Sequence, residues 1–112
     1  MTTEATLAHH LQAISESIDA VLSDYSEESV LFTQDGPIVG LVGIRAFFER
    51  FIGGAPPELI AALTVVRQDV HGEVAYLIWK AEPFVALATD TFVVRGGKIV
   101  AQTFVMLPPP SA

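Results

Sequence analysis

Ala88-Thr-Asp-Thr-Phe-Val-Val-Arg-Gly-Gly-Lys-Ile-Val-Ala-Gln-Thr-Phe-Val-Met-Leu107 decides how this chain is read. It has the pattern of a β-hairpin whose turn is Arg95-Gly96-Gly97-Lys98, because tight hairpin turns need the positive φ that glycine adopts freely. Counting back from the turn, Ala88, Asp90, Phe92 and Val94 share one face; counting forward, Gln102, Phe104 and Met106 share another. If the two faces coincide, a carboxylate and an amide lie among phenylalanine and methionine inside the protein. A carboxylate held there has an altered proton affinity, and altered carboxylates concentrate at functional sites. The alternative is that Asp90 faces solvent or satisfies a neighbouring backbone amide.

Outward from the hairpin, the rest of the second half is strand-rich. Leu59 to Val70 alternates, His71-Gly72 turns, Glu73 to Glu82 returns, and Phe84 to Arg95 and Lys98 to Leu107 form the hairpin. The first half is helical. Leu7, Leu11, Ile14, Ile18 and Val21 recur at spacings of three and four, as one helix or as two meeting near Ser17, a residue that caps helices well. Ser29 to Thr33 reads as a short strand and Asp35-Gly36-Pro37 as a turn. Gly40 to Gly43 then opens a second helix carrying Ile44, Phe47, Phe48 and Phe51 on one face, with Arg45 and Glu49 one turn apart outside. Gly53-Gly-Ala-Pro-Pro57 stops it. Helices first and a meander of strands afterwards predicts an α+β domain with helices on one face of a curved antiparallel sheet. The 112 residues suffice for a single domain, with a core over about 6–107 and a proline-rich tail at 108–112 that cannot join a ladder.

Composition narrows the function. The net charge of −7 arises before Arg45, where seven acidic residues meet no lysine or arginine, and such a surface does not attract nucleic acid or anionic lipid. No apolar run approaches the roughly 18 residues of a membrane span, and the acidic amino terminus is unlike a signal peptide, so a cytoplasmic protein is expected. With no cysteine and only three histidines, no thiolate chemistry, metal site or other cofactor is expected.

The order of elements and several local strings resemble the nuclear transport factor 2-like superfamily, and within it the SnoaL-like polyketide cyclase and ketosteroid isomerase branch. Asp24-Tyr-Ser-Glu-Glu-Ser-Val30 resembles its passage from helix to strand, Gly40-Leu-Val-Gly-Ile-Arg-Ala-Phe-Phe48 its glycine-led helix, and Asp90-Thr-Phe-Val-Val-Arg-Gly-Gly-Lys-Ile99 its hairpin. The resemblance spans about Thr6 to Leu107. It implies a cone-shaped fold, a pocket open at one end for a small hydrophobic molecule, and dimers formed through the sheet. It places Asp90 where ketosteroid isomerases keep the acid that hydrogen-bonds the substrate oxyanion. It places His9 near the family's oxyanion tyrosine, with His10 in that place if the helix is turned by one residue. The isomerase's base falls on Thr33, which cannot abstract a carbon-bound proton at neutral pH, and Asp35 lies two residues further on. The implied function is acid–base isomerisation, cyclisation or elimination on a small carbonyl compound, or ligand binding or dimerisation without turnover.

The expected catalytic residues are therefore Asp90 and His9. The expected pocket residues are Tyr25, Phe32, Trp79, Phe92, Gln102, Phe104, Met106 and His10. Trp79 is either a pocket wall or core packing, and Tyr25 either a pocket hydroxyl or a cap on the helix end. Adjacent helical residues diverge by about 100°, so only one of His9 and His10 can enter one pocket.

Overall fold

A computed structural model describes residues 1–109; Pro110, Ser111 and Ala112 of the expected tail lie outside the described residues. Two helices open the chain, α1 (Thr3–Ala13) and α2 (Ile18–Leu22), so the amino-terminal stripe is two helices and not one. Ser17 is the reason: its hydroxyl accepts the Ala20 N–H at 3.0 Å and starts α2 afresh.

A hairpin follows, β1 (Val30–Thr33) and β2 (Gly36–Val39). The second of these corrects the expected turn at Asp35–Pro37: only Gln34 and Asp35 turn, and Gly36-Pro-Ile-Val39 pairs back on β1. Proline is tolerated there because β2 is the sheet edge. Helix α3 (Gly40–Gly53) starts on a glycine with φ +84°, whose N–H bonds the Ser29 carbonyl at 2.9 Å. Arg45 on α3 reaches Asp19 of α2 at 2.7 Å, in place of the expected Glu49.

Helix α4 (Pro57–Ala62) corrects the reading of Leu59 to Val70 as one strand; only β3 (Thr64–His71) is extended. Pro57 occupies the first turn, where its missing N–H costs nothing, and Leu-Ile-Ala-Ala continues the helix. The meander then runs through β4 (Val74–Ala81), β5 (Val85–Arg95) and β6 (Lys98–Leu107), within a residue or so of expectation. Gly96 and Gly97, at φ +59° and +74°, make the tight β5–β6 turn.

The six strands form one sheet in the order β2-β1-β6-β5-β4-β3, with β1 parallel to β6 and every other pair antiparallel. The sheet curves without closing, and the helices cover its concave face. Leu7, Val21, Leu31, Ile44, Phe92 and Ile99 are all but fully buried between the two layers. No described helix is long and apolar enough to cross a membrane. Among the described residues, no group of three His, Cys, Asp or Glu is placed to hold a metal ion.

Candidate functional site

The two faces of the hairpin coincide. Ala88 lies opposite Met106, Asp90 opposite Phe104 and Phe92 opposite Gln102, so these three inward residues of β5 each meet an inward residue of β6. On its other side Asp90 faces Leu77 of β4, and Trp79 follows on the same face two residues later. Strand alternation thus carries a carboxylate, an amide and an indole into the concave side.

They satisfy one another there. Trp79 Nε1–H donates to Asp90 Oδ2 at 2.8 Å, and Gln102 Nε2–H donates to Oδ1 at 2.9 Å. The Tyr25 hydroxyl donates to Gln102 Oε1 from behind. Asp90 is only 5% exposed, and burial lifts its pKa to about 6 against the opposing effect of the Gln102 and Trp79 hydrogen bonds. Burial, and then the charges of Asp90 and Asp24, hold the Tyr25 phenol well above its ordinary value, so it remains a donor. Of the two readings of Tyr25, the hydroxyl is drawn into the Asp90 network but sits outside the cavity wall.

His10 supplies the other polar side chain. It is 2% exposed, packed edge-on against Phe92, Tyr25 and Phe48 at 5.4, 5.8 and 6.0 Å, and burial followed by the neighbouring His9 lowers its pKa to about 4. Its ring is therefore neutral at pH 7. His9, the expected catalytic partner, points elsewhere: its side chain is 44% exposed and its Nδ1 bonds Asp24 at 2.8 Å. The one-residue turn of α1 that the sequence left open is settled in favour of His10 as the cavity-facing ring.

His10, Trp79, Asp90, Phe92, Gln102 and Phe104 line a cavity of about 30 Å³, room for one or two waters. Phe47, Phe51 and Phe104 separate it from a wider recess of about 440 Å³ at the β1–β2 end, where Thr33, Asp35, Arg50 and Met106 stand. Phe104 stacks on Trp79 with ring centroids 6.4 Å apart, and Phe51 packs edge-on to both. A drug-sized ligand needs about 300 Å³ or more, so it can reach Asp90 only if these rings swing aside.

Besides His9 and Tyr25, two further expected site residues fall outside the cavity. Phe32 is 47% exposed, since β1 turns Leu31 inward opposite Gln102 and so turns Phe32 out. Met106 lines the outer recess and not the inner cavity. Thr33 spends its hydroxyl on the Gly36 carbonyl at 3.0 Å, closing the hairpin turn. Three residues carry more than the sequence suggested. Phe47 and Phe51, which read as packing, form the partition, and Asp24 is buried between His9 and His10. Asp24 stands 15 residues from His9, at no spacing that a local pattern would reveal.

No protein-family model matches the sequence, and no curated protein matches it at a significant level. Solved structures do. An NTF2-like protein of unknown function from Burkholderia xenovorans superposes with a TM-score of 0.77 at 22% identity, over 98% of this chain and 86% of that one. A SnoaL-like protein of unknown function from Burkholderia thailandensis gives 0.76 at 13% identity, over 94% and 93%. A candidate polyketide cyclase from Sinorhizobium meliloti gives 0.74 at 15% identity, over 90% and 94%. At these identities the likeness is one of fold. With its amino-terminal helices laid in a curved, open six-stranded sheet, the chain has the fold of the nuclear transport factor 2-like superfamily, shared with SnoaL-like proteins.

Proposed function

We propose that the chain takes a small, mainly apolar molecule with a carbonyl or hydroxyl oxygen into the Asp90 cavity and acts on it by acid–base chemistry. The observation that carries this reading is a carboxyl group buried in an aromatic cavity and held near a pKa of 6, where it exchanges protons close to neutral pH. Protonated Asp90 donates to the ligand oxygen, displacing neither Trp79 nor Gln102, which hold its two oxygens in place. Neutral His10 takes a proton from the adjacent carbon as Asp90 releases one to the oxygen. Return of both protons, with the carbon proton delivered to a different carbon, gives an isomer. The same pair of groups serves cyclisation or elimination. Thr33 takes no part, which distinguishes this scheme from the ketosteroid isomerase arrangement.

A second reading, binding without turnover, is favoured by the closed aromatic partition and by the fact that internal donors already occupy both Asp90 oxygens. A thermal-shift screen of wild type and Asp90→Asn against steroids, aromatic polyketides, terpenoids and small carboxylates tests the common ground. Stabilisation of wild type that weakens in Asp90→Asn is expected, and turnover of the stabilising compound then separates the two readings. Absence of any shift across the set contradicts both.

The outer sheet face supports a homodimer as part of the same proposal. Val74 and Tyr76 on β4, Leu87 on β5 and Val105 and Leu107 on β6 are exposed apolar residues on the convex side, with Leu87 opposite Leu107. An apolar patch of this kind marks an interaction surface. Val105→Glu is expected to halve the mass measured by light scattering; a wild type already of monomer mass contradicts the dimer.

A further inference from the structure

Asp24 is a buried carboxyl group that the proposed chemistry leaves unused. It sits just past α2, 2% exposed, with Oδ1 and Oδ2 at 2.8 and 2.9 Å from the His9 Nδ1. On its inner side Oδ2 lies 3.9 Å from His10 Nδ1, a buried atom with no hydrogen-bond partner. His9 is open to solvent and His10 lines the cavity, so the three side chains run from the surface to the site.

We propose that Asp24 is the positioning residue of His10, holding the neutral ring with its proton on Nδ1 so that Nε2 offers its lone pair to the cavity. This rests on the reading of the cavity as a site for acid–base chemistry. The electrostatics follow from the pair of atoms. A ring nitrogen facing a carboxylate oxygen is favoured as N–H and disfavoured as a lone pair, because two acceptors repel. At 3.9 Å the contact is too long for a hydrogen bond, and it shortens when the ring gains a proton at Nε2 and becomes a cation. In the proposed step the ligand's carbon-bound proton goes to Nε2, the Nδ1–H donates to Asp24, and the carboxylate stays ionised. His9, bonded to the same carboxylate, connects Asp24 to solvent protons.

The other charged and titratable groups around this unit are few. His9 on α1 opposes a charge on His10; Tyr25 touches the His10 ring edge and remains protonated; Asp90 of β5 lines the same cavity. Lys98 at the start of β6 favours the ionised form of Asp24, as does His9, against the cost of its burial. Helix α3 packs Phe48 edge-on against the ring.

Long-range proton–nitrogen NMR spectra of the intact chain labelled with ¹⁵N-histidine, without ligand, test this. Wild-type His10 is expected as the Nδ1–H tautomer at pH 7, the minor form of free histidine, and an Nε2–H tautomer overturns the proposal with no variant needed. In Asp24→Asn the His10 titration midpoint is expected to fall by about one pH unit through loss of the facing charge. An unchanged midpoint in a folded variant likewise overturns it. Because neither readout uses a ligand, failure here is separable from failure of the thermal-shift screen, which bears on the cavity reading alone.

Discussion

Asp90→Asn and His10→Leu are expected to tilt the pH dependence of stability in opposite directions, each by about 3 kcal/mol between pH 3.5 and 7. Asp90 has its folded pKa raised from 3.8 to about 6, so the folded state binds the proton more tightly than the unfolded chain. Its stabilising effect is complete below pH 3.8 and is lost as pH rises to about 6. His10 has its folded pKa lowered from 6.5 to about 4, so the unfolded chain binds the proton more tightly. Its effect is complete above pH 6.5 and is lost as pH falls to about 4. The two windows overlap almost entirely and the slopes have opposite sign, so in wild type they largely offset each other. The raised pKa of Asp24 adds to the Asp90 side. Asp90→Asn exposes the histidine: relative to wild type, stability rises more steeply with pH. His10→Leu exposes the carboxyl group: relative to wild type, stability falls as pH rises. Urea midpoints of the three proteins at half-unit pH intervals check this, and parallel curves contradict it.

Asp90→Leu is expected to cost far more than Asp90→Asn at pH 7, about 1–3 kcal/mol for each of two stranded donors. Trp79 Nε1–H and Gln102 Nε2–H both end on Asp90, and neither has another acceptor among its hydrogen bonds. Leucine fills the space but accepts nothing, so both donors remain buried and unpaired. Asparagine adapts instead. Its Oδ1 accepts from Trp79, its Nδ2 donates to Gln102 Oε1 after the amide turns over, and the turned amide donates to Tyr25 Oη. The network is kept with its direction reversed, and only the Tyr25 hydroxyl proton loses its acceptor. Equal destabilisation by the two substitutions, read from urea unfolding, would show that the charge and not the hydrogen-bond network matters at this position.

How much of this could be read beforehand depends on the range of the forces involved. The Asp90–Gln102 pairing followed from a period of two and a glycine turn, both local. Even so, the parity works only because of a register shift at Val93/Val94, which turns Ile99 and Gln102 inward although they are three residues apart. Phe32 could not be placed, because its face is set by the parallel pairing of β1 with a strand some 70 residues later, visible in no local pattern. Leu59–Ala62 is a short apolar run, which periodicity alone does not assign to helix or strand. The contact of Asp24 with His9 and His10 depends on how α1 crosses the end of α2, a matter of tertiary packing. The phenylalanines of α3 were legible as an apolar face, but their second role as a partition needs the position of the mouth recess.

If Asp90 is a proton-exchanging group inside a ligand cavity, the chain's single tryptophan offers a direct view of it. The indole N–H donates straight to Asp90, so its one cross-peak in a proton–nitrogen spectrum reports on that carboxyl group. This peak is expected to titrate with a midpoint near 6 and to move again when a compound that stabilises wild type is added. A peak that stays fixed from pH 4 to 8, and that such a compound leaves unmoved, would contradict it.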